Sequence, residues 1–170
     1  MILTTLNAAA YRVHQPKWSF APTSGAGAGA HGGRANRPGV NAPYLSLELE
    51  TALAEYQQLD ALLPPGLMVG YNVSLDAIVD FRGDFTSDWD ALWQAFYCDW
   101  RNMHFHQGIE PPSWVIGDQV LAPGAKGILF NSAITCGANL VIYTDALTGA
   151  DAISVYDPHN DLPKNQSSWQ

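Results

Sequence analysis

The sequence predicts an α+β fold in one domain over residues 1–170, and three observations predict it. Apolar, β-rich runs alternate irregularly with segments of helical spacing, unlike the strict strand–helix order of a doubly wound sheet. A hydrophobic share of 47% against 14% charged residues supplies a core and excludes a disordered chain. No internal repeat or Pro/Ser-rich linker divides the sequence.

Taken in order, Tyr11-Arg12-Val13 reads as a short strand. Residues 15–40, rich in Gly and Pro, read as a long ordered loop, and such a loop in a small domain is expected to bind something. Residues 42–47 are a second strand candidate. Residues 50–63 are predicted helical because Ala52, Tyr56, Leu59 and Leu63 share one face; Glu55 lies at the margin of that face and Glu50 on the far side. Residues 67–81 alternate well enough for one or two strands. Ser87-x-x-Asp90 reads as a capping box opening a second helix, with Trp89, Leu92, Trp93, Phe96, Tyr97 and Trp100 as its core-facing stripe. A short helix over 114–122 and strands over 127–130, 139–143 and 152–156 follow. The polar tail 157–170, with Pro158 and Pro163, reads as extended or loose.

A net charge of −8 argues against direct nucleic-acid binding, which needs a basic face. Cys98 and Cys136 sit in apolar surroundings without metal or redox spacing and read as reduced core thiols. Neither a membrane-length apolar run nor a signal-peptide pattern is present, so a cytoplasmic protein without membrane contact is expected.

The Gly25 to Ala30 run does not fit a dinucleotide-binding fingerprint, because Gly32, Gly33, Pro38 and Gly39 cannot open the helix that motif requires. Arg34, between Gly33 and Asn36, reads either as a solvated turn charge or as a diphosphate ligand. Arg12, inside a strand, needs an anion, either a carboxylate or a bound phosphate. Singly, Glu55, Tyr44 and Ser132 read as a helix-face acid, a core aromatic and a turn cap. A glycine-rich loop bearing an arginine, with a glutamate about 20 residues later, suggests a site for an anionic, ribose-bearing molecule. His104-x-His106 lacks a third ligand, so no metal is expected.

Together the blocks Tyr11-Arg12-Val13, Gly32-Gly33-Arg34-Ala35-Asn36-Arg37-Pro38-Gly39, Tyr44-Leu45-Ser46, Ala52-Leu53-Ala54-Glu55 and Phe130-Asn131-Ser132, with Asn139-Leu140-Val141 following, resemble the RES domain. That family is the toxin half of RES-Xre toxin–antitoxin pairs. Two positions depart from the family pattern: Ala35 stands where members commonly carry Trp, and Asn131 where they carry Pro. The resemblance implies an ADP-ribosyltransferase-like fold, with split mixed or antiparallel sheets and flanking helices around a NAD cleft. It implies NAD as substrate, attacked at the nicotinamide–ribose bond without a metal. Glu55, Arg34 and Tyr44 are the implied catalytic residues: Glu55 on the ribose, Arg34 with Arg12 on the diphosphate, Tyr44 shaping the nicotinamide pocket. Gly33, Ser46, Asn131 and Ser132 complete the implied NAD contacts. Mono-ADP-ribosyl transfer to a protein acceptor is the expected outcome. The alternatives are a NAD glycohydrolase or phosphorylase, and a non-enzymatic nucleotide- or protein-binding module. The implied partner is an Xre-type helix-turn-helix antitoxin that blocks the cleft in a hetero-oligomer.

Overall fold

Strand pairing brings the sheet back onto itself. The computed structural model describes residues 1, 3–58, 60–83 and 85–167. In it β1 (Leu3–His14) pairs antiparallel with β3 (Leu67–Phe81) and meets β2 (Tyr44–Ser46) at Tyr11↔Ser46. β2 pairs with β5 (Ala138–Ile142), β5 with β4 (Gly127–Asn131), and β4 runs parallel to the end of β3. β6 (Ala152–Val155) lies antiparallel to β3 at Tyr71 to Ser74. The result is a mixed sheet with helices against it, an α+β domain.

Both faces of the sheet are buried. Ile128, Phe130 and Val141 point into one core, Leu129, Leu140 and Ile142 into the other. That two-sided burial is why β4 and β5 read as unbroken apolar runs rather than alternating ones. β1 extends well N-terminal of the Tyr11 run; its Asn7-Ala8-Ala9-Ala10 stretch has weak intrinsic strand preference, and pairing with β3 imposes the conformation.

Three further elements differ from their predicted form. The stretch 15–40 is not wholly loop: Ala26–His31 forms a short helix, α1, continued by no apolar face. Helix α2 covers Leu49–Gln57, not 50–63: Gln58 takes φ 51°, and Pro64-Pro65 downstream forbid a longer helix. Leu59 lies outside the described residues. The aromatic stripe forms no long α-helix either. Asp90 itself is the cap, accepting from the Leu92 amide at 2.8 Å, and a 3₁₀ turn follows over Ala91–Ala95. Three residues per turn align positions i and i+3, so the Trp93 and Phe96 rings stack at 5.7 Å with a 16° interplanar angle. Both pack on Phe81, as does Trp89; each such pair contributes ~0.5–1.5 kcal/mol beyond area burial, enough to override α-helical spacing. A π-helical turn, Asn102–Gln107, then leads to α3 (Pro112–Leu121), which has Pro at its first position.

The buried Lys126 fixes the sheet's other margin, bridging Asp76 and Asp151, the latter at 2.7 Å. In the tail, the Asp157 carboxylate accepts from the amides of Asp161 and Leu162, and Leu162 packs against the second core. Residues 168–170 lie outside the described residues. Among those described, no helix is long and apolar enough to cross a membrane.

Candidate active site

The segment after α1 is held by side chains from four directions. Asn36 donates through Nδ2 to the carbonyls of Ala28 and Val40 at 2.9 and 3.0 Å. Trp114 Nε1 donates to Gly33 O at 2.7 Å, and the Tyr143 hydroxyl to Ala35 O at 2.7 Å. The Tyr44 hydroxyl donates to Asn36 Oδ1 and accepts from the Ala35 amide, both at 2.8 Å. Burial raises its pKa well above the usual tyrosine value, so it stays neutral. Tyr44, expected to stack on or shape a nicotinamide pocket, commits its hydroxyl to the loop. Gly33 is likewise explained by packing, because a Cβ there would lie 2.5 Å from Asn36 Oδ1 and 2.6 Å from Tyr44 Oη.

This scaffold presents Arg34. Its Nη1 donates to the carbonyls of Phe96 and Cys98, each at 3.2 Å, and its guanidinium lies 5.6 Å from the Tyr97 ring centroid. No carboxylate pairs with it among the described residues. The neighbouring Arg37 is different in kind. Asp118 and Glu110 both bind it, raising its pKa further, so it is a structural clamp between loop and α3.

Glu55 is the meeting point of a second network. Its Oε1 accepts from Ser132 Oγ at 2.7 Å and from Asn139 Nδ2 at 2.6 Å. Asn139 Oδ1 in turn accepts from the buried Ser46 hydroxyl at 2.7 Å. Ser132 Oγ accepts from the amides of Ile134 and Thr135, at 3.0 and 3.2 Å, so its single proton is committed to Glu55. The same face of α2 holds the β4–β5 connection at two further points: Glu48 accepts from the Ala138 amide at 2.9 Å, and Thr51 bonds Thr135 at 2.8 Å. Positions 48, 51 and 55 share a helix face, so a polar stripe on α2 docks this connection. Sequence reasoning placed Asn139 at the start of a strand and in the Asn139-Leu140-Val141 block of the resemblance, but gave it no role at the site.

Arg34 and Glu55 border one face of the sheet. Ser46, Asn139, Phe130 and Phe81 lie in register across β2, β5, β4 and β3, and Phe130 touches Phe96 at 5.2 Å, whose carbonyl holds Arg34. Tyr97, beneath the Arg34 guanidinium, donates to the carbonyl of Asn131, the residue before Ser132. The Asn131 side chain itself turns away, donating to Arg82 O at 2.9 Å.

Arg12 is placed apart. Tyr11 shares the Ser46 row, so Arg12 faces the second core with Ala10 and Tyr71. Its Nη1 is buried without a partner, and burial lowers its pKa, the nearby Tyr71 opposing that shift. Beside it, Tyr71 donates to Pro22 O at 2.8 Å; His14 Nε2, 2.6 Å from the same oxygen, must therefore be the donor. Burial first and Arg12 second lower the His14 pKa to about 4, leaving the ring neutral.

A depression of about 520 Å³ lies at the β4–β5 connection, lined by Glu48, Asp80, Arg82, Asn131 and Cys136 among others. Neither Arg34 nor Glu55 lines it; their association rests on the bonded chain above. Cys136 is exposed and Cys98 half-buried, both free, so Cys136 is not the core thiol its apolar neighbours suggested. The His104 and His106 pair sits in the π-helical turn, and among the described residues no three His, Cys, Asp or Glu side chains cluster to hold a metal.

A family model described as the RES domain matches residues 9–165. No curated protein matches the sequence. Among solved structures, the crystal structure of the M. tuberculosis MbcT–MbcA toxin–antitoxin complex contains a chain similar in fold, with a TM-score of 0.62 at 18% identity. The match covers 91% of this chain and 84% of that one. At that identity the likeness speaks for the fold alone.

Proposed function

The chain belongs to the RES domain family, and from that premise we propose that it is a toxin that consumes NAD, breaking the bond between nicotinamide and ribose and passing ADP-ribose to a protein acceptor. The observation that carries this reading is the free oxygen of Glu55. Oε1 is saturated by Ser132 and Asn139, while Oε2 has no partner among the described residues and is available to a sugar. Breaking the glycosidic bond sends its electron pair to the pyridinium nitrogen, releases neutral nicotinamide and leaves positive charge on the ribose carbon. A fixed carboxylate beside that carbon is stabilising where the charge develops. Glu55 also accepts the hydrogen bond of a ribose hydroxyl and aids deprotonation of the acceptor.

Arg34 suits the diphosphate. Only its Nη1 is bonded among the described residues, which leaves Nε and Nη2 to form charge-assisted bonds with phosphate oxygens. Arg12 also has a buried, unpartnered N–H, but it faces the other side of the sheet and is left out of this diphosphate site. Tyr44 and Gly33 serve by fixing the loop that carries Arg34, and Asn131 by setting the turn before Ser132. No metal has a role in this scheme.

Ile134, two residues after Ser132, is exposed, and Leu49 and Leu53 are exposed on a face of α2 turned away from Glu55. Exposed apolar side chains on and beside α2 suit contact with a macromolecule, whether an acceptor or an antitoxin. We assign the partner to the Xre helix-turn-helix class in a hetero-oligomeric complex in the cytoplasm. Such a partner would carry the DNA contacts that a chain of net charge −8 does not favour.

Incubating the purified protein with NAD labelled in its adenylate half tests the proposal. Nicotinamide release with label on protein is expected. Free ADP-ribose or its phosphate would instead assign a NAD glycohydrolase or phosphorylase. Intact NAD would defeat the reading.

A further inference from the structure

Asn139 lies on β5 with its side chain buried between Ser46 and Glu55. The orientation of its amide follows from the chemistry of its neighbours. An ionised carboxylate only accepts, so the group 2.6 Å from Glu55 Oε1 must be the Nδ2 donor. Oδ1 then faces Ser46, whose hydroxyl must donate at 2.7 Å. The carboxylate thus sets the amide's orientation, and Ser46, whose hydroxyl can donate or accept, donates to the oxygen turned towards it. The relay has one direction, from Ser46 through Asn139 to Glu55; its first two members sit in register on adjacent strands and the third on α2.

Resting on the NAD-cleaving reading of Glu55, we propose that Asn139 is a positioning residue for that carboxylate and that Ser46 acts only through Asn139, without touching substrate. Asn139 and Ser132 clamp the same oxygen from two sides, which fixes the carboxylate plane and turns Oε2 outward. Two donors on one oxygen also concentrate the remaining acceptor capacity on the other. The consequence is kinetic. A loosened carboxylate still admits NAD but meets the developing ribose charge less often in the right geometry, so kcat falls while KM is spared. A merely structural asparagine would lower thermal stability and affect both constants or neither.

Steady-state nicotinamide release by Asn139→Leu, Ser46→Ala, Glu55→Gln and the Glu55→Gln/Asn139→Leu double variant tests this. Asn139→Leu is expected to lower kcat about 10-fold or more with KM within about twofold, the scale of one hydrogen bond to a charged group. In the Glu55→Gln background the same change should add little, since the group it positions is already gone. Ser46→Ala should lower kcat less and add nothing to Asn139→Leu. If Asn139→Leu loses its cooperative thermal transition, Ser46→Ala, which keeps the Asn139 donor, carries the test alone: kcat falls with KM spared, or the relay is wrong. Losses that multiply independently of Glu55, or a rise in KM alone, overturn the role of Asn139 in an otherwise active enzyme. A wild type that leaves NAD intact overturns the functional reading and this inference with it.

Discussion

Arg12, His14 and Tyr71 show how one residue's environment sets another's chemistry. The Arg12 guanidinium is buried and short of a partner, and it helps keep His14 neutral to about pH 4. The unfolded histidine takes up its proton near pH 6.5. Between those values the unfolded chain binds more protons, so this group contributes no penalty above the window and destabilises the fold as pH falls through it. The loss by about pH 4 is on the order of 2–3 kcal/mol. His14→Gln keeps a donor for Tyr71 and removes the titration. Unfolding midpoints followed from pH 7.5 down to 4.5 should fall less steeply in that variant, and parallel curves would contradict the assignment. The sequence raised the expectation of an anion at Arg12, whose Nη1 has no partner among the described residues. It could not show that the strand turns Arg12 away from the Ser46 row, because that depends on register with β2 at a single pair.

At the scale of elements, α3 and the Arg34 loop meet at Gly117. A Cβ at this position would lie 2.2 Å from Ala35 O and 3.2 Å from the Tyr143 hydroxyl, and the backbone carbonyl cannot swing aside. Gly117→Ala should therefore cost about 1–3 kcal/mol in stability and lower NAD turnover by shifting Arg34. An unchanged melting temperature would show that the loop yields freely. Strands β2 to β6 were legible because β-branched and apolar runs end at Gly, Asn and Pro. α2 was legible in place, not in length, because its last predicted turn was written by Leu59 and Leu63 while Pro64-Pro65 and the φ of Gln58 ended it earlier. The stripe from Trp89 to Trp100 has helical spacing, yet it packs through 3₁₀ geometry; ring contacts with Phe81 decide there, and sequence periodicity does not record them.

Across the whole molecule, sheet closure brings distant blocks of sequence to one face. Ser46, Glu55, Ser132 and Asn139 become one hydrogen-bonded group, and Arg34 stands at its border through Tyr97 and Phe96. The residue types were readable in order along the chain. Their direction was not: Tyr44 and Ser46 spend their hydroxyls inside the protein, and Asn139, though part of a matching block, carried no sign of the carboxylate it meets. The central claim is that Glu55 is the carboxylate that meets the ribose as nicotinamide departs. Its most direct measure is the rate of nicotinamide release from NAD by the wild type and by Glu55→Gln, both confirmed folded. The account predicts a drop of about 100-fold or more on removing the charge while keeping the shape. Equal rates, or no release by the wild type, would contradict it.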